Sequence, residues 1–287
     1  MRILHKNGVL RTLCFFLCLL IVIVHNGCAT NGNIIIESPV SLSEVSPHLE
    51  TLQARYDLTD TLRTDKMRVI IQEGDNEAEE LRERLWYKKS IDGSDLLRIQ
   101  VLGAFNDPKG IAIANRDEFL LAFIEQQETY KGKLSDGILR EIFGIDLRVS
   151  DVLSAIFANP FLDGRTKDLK VTRSGKKYIV MRPSVESGST EYIILHIQDD
   201  EPRVIQWSIK DKDDTLLQSA FFSDYREVDG ILRPHKVHIE RPIEQTRVTV
   251  SIAQVQINTE IKQSRFDFSP FLTDDFIIKS FSDIHQP

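Results

Sequence analysis

The chain has 287 residues, 41% of them hydrophobic and 28% charged, with 14 glycines and 10 prolines. That composition excludes collagen-like, low-complexity and multi-span membrane classes, and the length allows a full core in one large domain or two small ones. A net charge of −7 without any long basic run argues against a nucleic-acid partner.

At the N-terminus Arg2, Lys6 and Arg11 precede an unbroken apolar run from Leu13 to Val24. The run is short for a membrane span, which needs about 20 residues, and suits a secretory signal. It is followed by His25-Asn26-Gly27-Cys28-Ala29. A small residue before a lone cysteine resembles a bacterial lipobox. That resemblance implies a signal peptide over 1–27, cleavage before Cys28, and covalent diacylglycerol and N-acyl groups on Cys28. Two other readings stand beside it: Gly27-Cys28-Ala29 as a site for ordinary signal peptidase, and an uncleaved anchor. All three cysteines, Cys14, Cys18 and Cys28, lie in this region, so the remaining chain has neither disulfides nor thiolate metal sites. Residues 28–45 read as a lipidated tether, and 46–287 as one domain.

Ser46-Pro47 suggests a helix cap, and Leu49, Leu52, Tyr56 and Leu62 then extend a helix over about 46–62. From Met67 the period changes to two. Strands are predicted around 67–71, 81–88, 97–101, 111–113, 118–125 and 127–131, with a turn at Asn106 to Gly110. Two short amphipathic helices follow. Ser135 would cap one with Ile138, Leu139, Ile142 and Phe143 on a single face and Gly144 as its stop. Ser150 would cap another with Val152, Leu153, Ile156 and Phe157 on a single face, ended by Asn159-Pro160. Strand patterns resume at 178–181, 191–197, 204–210, 216–224, 235–240 and 247–257. The fold class expected is mainly β, α+β: about eleven strands in one strongly curved antiparallel sheet, forming an open, incomplete barrel with an N-terminal helix and a helical lid.

No catalytic constellation emerges. There is no G-x-S-x-G elbow. Ser174-Gly175-Lys176-Lys177 lacks the first glycine and the hydroxyl residue of a phosphate loop. His235 and His238 lie three apart on a strand and face opposite ways. Asp211, Asp213 and Asp214 lack the glycine and closing glutamate of a calcium loop and read as a solvated turn. The expectation is a protein that is not an enzyme and holds no metal or cofactor.

Several blocks together resemble the LolA/LolB superfamily of bacterial lipoprotein carriers and receptors. They are Arg98 to Phe105, Lys109 to Ile113, the helical region from Leu134 to Pro160 after Tyr130, Tyr225 to Pro234, Val255 to Asn258, and Phe266 to Pro270. Ile156 stands near a position where receptor members often carry Trp, and the mature chain is longer than a typical receptor. The resemblance implies a barrel closed by a helical lid over a cavity for acyl chains. Its lining would include Ile138, Leu139, Ile142, Phe143, Val152, Leu153, Ile156 and Phe157. It also implies a loop, Leu102 with Phe105 at its tip, that touches the membrane. The expected partners are lipoprotein acyl chains or lipid, the membrane through the N-terminal anchor, and a periplasmic carrier protein. The expected location is the outer membrane, facing the periplasm. An alternative is an envelope-assembly lipoprotein with a filled cavity that binds protein partners.

Overall fold

In the computed structural model the described residues are 37–90, 95–115, 118–133, 149–162, 164–166, 168–184 and 188–280. Residues 1–36, with Cys28 among them, and the predicted helix at 135–144 lie outside them; everything below concerns the unit Glu37–Pro287. Among the described residues no helix is long and apolar enough to cross a membrane.

The elements in chain order are β1 (Ser38–Pro39), α1 (Leu42–Asp57), β2 (Thr61–Glu73), β3 (Glu79–Lys88), β4 (Leu96–Leu102), β5 (Pro108–Asn115), β6 (Glu118–Phe123) and β7 (Glu128–Lys133). Then come α2 (Val149–Phe157), β8 (Lys170–Ser174), β9 (Lys177–Pro183), β10 (Thr190–Gln198), β11 (Glu201–Lys210), β12 (Leu216–Val228), β13 (Ile231–Arg241) and β14 (Thr246–Ile257). Two short 3-10 turns, Gln263–Phe266 and Ser269–Phe271, lead to β15 (Ile277–Ser280). All strands join one curved sheet in the order β1-β8-β9-β10-β11-β12-β13-β14-β2-β3-β4-β5-β6-β7-β15. The sheet has two free edges and does not close into a barrel.

The expected count of about eleven strands is corrected to 15 among the described residues. The unforeseen strands are β1, β8 and β15, which are short and lie at or next to the edges. β15 pairs with β7 in parallel, so the sheet is not wholly antiparallel. The helix predicted over 46–62 also shifts. α1 runs from Leu42, with Pro47 inside it, and Leu62 belongs to β2. Ser46 is not the cap; its hydroxyl donates back to the Leu42 carbonyl at 2.9 Å. Helix entry is instead at Ser41, whose carbonyl accepts the Glu44 amide at 3.1 Å. Val45, Leu49 and Leu52 form the helical stripe that meets the sheet. Part of the segment read as a tether is thus built into the fold.

The turn expected at 106–110 is centred earlier, because Pro108 to Gly110 already belong to β5. The Gly103 amide donates to the Asp107 carbonyl at 2.8 Å, and Asn106 takes a left-handed φ of 62°. A Cβ on Gly103 would lie 2.4 Å from the Lys109 side chain and 2.7 Å from the Asp107 carboxylate, so a side chain there would have to displace that ion pair. Ser174 to Lys177 form the β8–β9 hairpin, with Gly175 at φ 60°, which accounts for their resemblance to a phosphate loop.

Period-two alternation distributes the core over both faces of the sheet. On β3 to β6, Leu85, Tyr87, Leu97, Ala114, Phe119 and Leu121 belong to one face, beneath the helices. Trp86, Leu96, Ile111, Ile113, Leu120 and Ala122 belong to the other, where Ile261, Phe266, Phe268 and Phe271 cover them. Coverage on both faces explains the continuous apolar run of β6. A third cluster joins β8 to β13 with α1 and Phe161.

Candidate functional site

The helical face of the sheet is filled unevenly. Over β8 to β12 the protein's own residues occupy it. Val45 and Leu52 of α1, with Ala158 and Phe161 after α2, pack on Val180, Ile193, Leu195 and Trp207. Beside them lies a buried ionic knot. The Glu191 carboxylate accepts from Arg182 at 2.8 Å, Arg165 at 2.7 Å and the Trp207 indole at 3.2 Å. Arg182 also donates to the Pro160 and Arg165 carbonyls, which fixes the segment after α2 onto the sheet. The knot is internally paired and serves to hold that segment in place.

Over β2, β3, β13 and β14 an apolar chamber of about 190 Å³ remains. Ala155 and Ile156 of α2 form its roof. Its walls come from Met67 and Val69 of β2, Leu85 of β3, Ile99 of β4, Val237 and Ile239 of β13, and Val248, Val250 and Ile252 of β14. A bulge between Thr64 and Met67 resets the alternation, so both residues reach the same chamber although their spacing is odd. The Thr64 hydroxyl accepts the Leu85 amide at 3.0 Å across this irregularity.

Two charged residues line this chamber. Arg233 is 4% exposed, and its Nη2 donates to the Ile156 carbonyl at 3.0 Å. That carbonyl is in the last turn of α2, where the backbone lacks helical partners and the helix dipole is negative. Arg233 Nε has no hydrogen-bond partner. Burial pulls the guanidinium down to about 10, which still leaves it cationic at neutral pH. Glu83 has no hydrogen bond or ion pair among the described residues, and burial pushes its carboxyl up to about 7.

Glu83, Met67 and Ile252 also line a wider groove of about 690 Å³. This groove is strongly charged: Lys66, Arg68, Arg82, Arg226 and Lys236 face Asp65, Glu80 and Asp224. Leu102 and Asn106 border it, and between them Phe105 stands 93% exposed at the loop tip. An apolar chamber therefore adjoins a charged vestibule with an aromatic ring at its edge.

The lining predicted from sequence divides three ways. Ile138, Leu139, Ile142 and Phe143 lie outside the described residues, as does the Val152 side chain. Ile156 lines the chamber. Leu153 and Phe157 are not among its lining residues; they pack on the same apolar cluster, to which the chamber residues Met67, Val69, Leu85 and Ile252 belong. Phe157 meets Tyr56 and Tyr87 edge-on, at centroid distances of 5.0 and 4.9 Å. Both tyrosine hydroxyls donate to Asp95 Oδ2, at 2.6 and 2.7 Å. Burial, then the Asp95 contact, push the Tyr56 phenol up to about 12.

Arg233 and Glu83 are the site residues that sequence reasoning missed. The signal was available. Glu83 alternates in phase with Leu81 and Leu85, and Arg233 with Val237 and Ile239. A charge in phase with an apolar face is the mark of a buried polar position. The other candidate chemistry resolves as structure. His235 Nδ1 lies 2.8 Å from the Ile252 carbonyl, while His238 contacts Thr249 and Glu240. The Asp211 carboxylate accepts the Asp213 and Thr215 amides within its turn. Among the described residues no group of three or more His, Cys, Asp or Glu could hold a metal.

No protein-family model matches the sequence, and no curated protein matches it. Solved structures match in shape. A DUF1329 family protein from Desulfovibrio piger superposes with a TM-score of 0.56 at 14% identity, over 79% of this chain and 98% of that one. A domain described as belonging to an outer membrane lipoprotein-sorting protein of Vibrio parahaemolyticus gives 0.52 at 13% identity, over 79% and 99%. A LolA superfamily protein from Nitrosomonas europaea gives 0.51 at 8% identity, over 77% and 97%. At these identities the likeness is one of fold alone: the chain shares its overall architecture with these three proteins.

Proposed function

We propose that this protein is a non-enzymatic, acyl-chain-binding lipoprotein of the bacterial envelope, anchored through Cys28 and acting in lipoprotein localisation or insertion at the outer membrane. The observation that carries the reading is the apolar chamber beneath α2, opening beside a charged groove. An amphiphile needs these two environments side by side. Each methylene buried there gains about 0.8 kcal/mol. A lipid with two or three chains is too large for that space, so its uptake requires α2 to move off the sheet. The exposed Phe105 beside the groove gives the protein an apolar contact with a bilayer at the chamber mouth.

Native mass spectrometry of the purified protein, without added lipid, tests the proposal. Bound acyl species that disappear in Ile156→Asp support it, and a ligand-free protein that takes up no lipid from vesicles overturns it. For the anchor, Cys28→Ala should abolish incorporation of labelled palmitate; unchanged labelling removes that part.

A second reading is favoured by the half of the sheet where α1 and Phe161 pack directly on β8 to β12. There the protein would be an envelope-assembly lipoprotein that holds protein partners. Co-purification of a stoichiometric protein with no lipid would favour it.

A further inference from the structure

We propose that the chamber beneath α2 receives a single alkyl chain ending in a carboxylate, and that this carboxylate pairs with Arg233. The inference rests on reading the chamber as an acyl-chain site and adds the chemical class of its guest.

Among the described residues Arg233 is a buried cation without a counter-ion. No ion pair joins it to any acid among the described residues, and its one hydrogen bond goes to the neutral carbonyl of Ile156. Glu83 is the sole acid lining the same chamber, and the two side chains form no pair. Leaving a guanidinium in apolar surroundings with an N–H unmet is costly, and proteins seldom keep such an arrangement without a use for it. An anion entering the chamber would gain the full charge-assisted contact and would satisfy the idle Nε.

Several features narrow the anion. The walls are otherwise aliphatic, so the rest of the guest must be apolar. The space of about 190 Å³ admits one chain and excludes a bulky head group. One cation balances one negative charge, whereas a phosphate monoester would carry surplus charge into an apolar space. A planar carboxylate also fits the guanidinium edge. A fatty-acid-like guest meets all of these conditions.

Isothermal titration calorimetry on the full chain with decanoate, 1-decanol and decylammonium separates the possibilities. Decanoate should bind about tenfold or more tightly than decanol, as a charge-assisted pair predicts. Arg233→Gln should erase that preference, bringing decanoate and decanol to equal affinity, and Arg233→Lys should retain a preference for decanoate. Equal affinity for decanoate and decanol, or a preference for decylammonium, overturns the pairing but leaves the acyl-chain site standing. A decanoate preference that survives in Arg233→Gln also overturns it. Failure of all three probes to bind overturns the acyl-chain reading itself. The wild-type comparison decides the matter even if Arg233→Gln does not fold.

Discussion

The Arg233 guanidinium and the Ile156 carbonyl, 3.0 Å apart, tie strand β13 to the final turn of helix α2. The bond spans the chamber roof, so it governs how readily the helix lifts. Breaking it should loosen α2 without unfolding the sheet. In Arg233→Met, amide hydrogen exchange within 149–157 should quicken by about fivefold to tenfold, the loss of one hydrogen bond worth about 1–1.5 kcal/mol. The urea midpoint should stay nearly constant or rise, because an incompletely paired buried charge is replaced by an apolar chain. Unchanged exchange in α2 would show that the bond does not hold the roof down.

Phe157 holds the same helix from its other side, edge-on to Tyr56 and Tyr87. Phe157→Ala should cost about 2–3 kcal/mol in chemical denaturation, from lost packing and lost aromatic contacts. A loss below half a kcal/mol would mean that the helix is not seated on those rings.

Glu83 gives the protein a pH signature. Its carboxyl rises from an ordinary 4.5 to about 7 in the fold, through burial. The native state therefore holds a proton that the unfolded chain releases. Stability from this group is complete below pH 4.5 and declines as the pH climbs through about 7. Glu83→Gln removes the titration. It should match the wild type near pH 4.5 and exceed it above pH 7 by up to about 3 kcal/mol, at about 1.36 kcal/mol per pKa unit. Urea denaturation at the two pH values checks this, and a difference that does not change with pH refutes it.

Phe105 is exposed and borders no core, so Phe105→Glu should alter stability by no more than about 0.5 kcal/mol. If the loop touches bilayers, co-sedimentation of the variant with phospholipid vesicles should fall several-fold. Equal sedimentation would assign Phe105 no membrane role.

Much of the sheet was legible because its long strands alternate cleanly, as in Met67, Val69 and Ile71 or in Ile193 and Leu195. The short ones were not. Lys170 to Ser174 carries a single buried apolar residue, Val171, and Ser38–Pro39 is too brief to show a period. Pro47 misled the helix start because proline is most common in a first turn; here the helix accepts it inside, losing one backbone donor. The site was half legible. Ile156 could be read from helical spacing, but Phe157 sits on the same predicted face and turns to Tyr56 and Tyr87 instead. No one-dimensional pattern reveals that Phe161 and α1 fill the neighbouring half of the sheet.

The order of the sheet has a bearing on biogenesis. Its middle seam joins β2 to β14, far later in the chain, through pairs running from Thr246↔Glu73 to Ile257↔Leu62. During synthesis β2 can pair with β3 at once, but its other edge must wait until β14 has been made. Contacts so distant along the chain slow folding, and the strand edges left bare meanwhile invite association with other chains. An escort that shields that edge until β14 has emerged suits such a topology better than folding from the N-terminus onward.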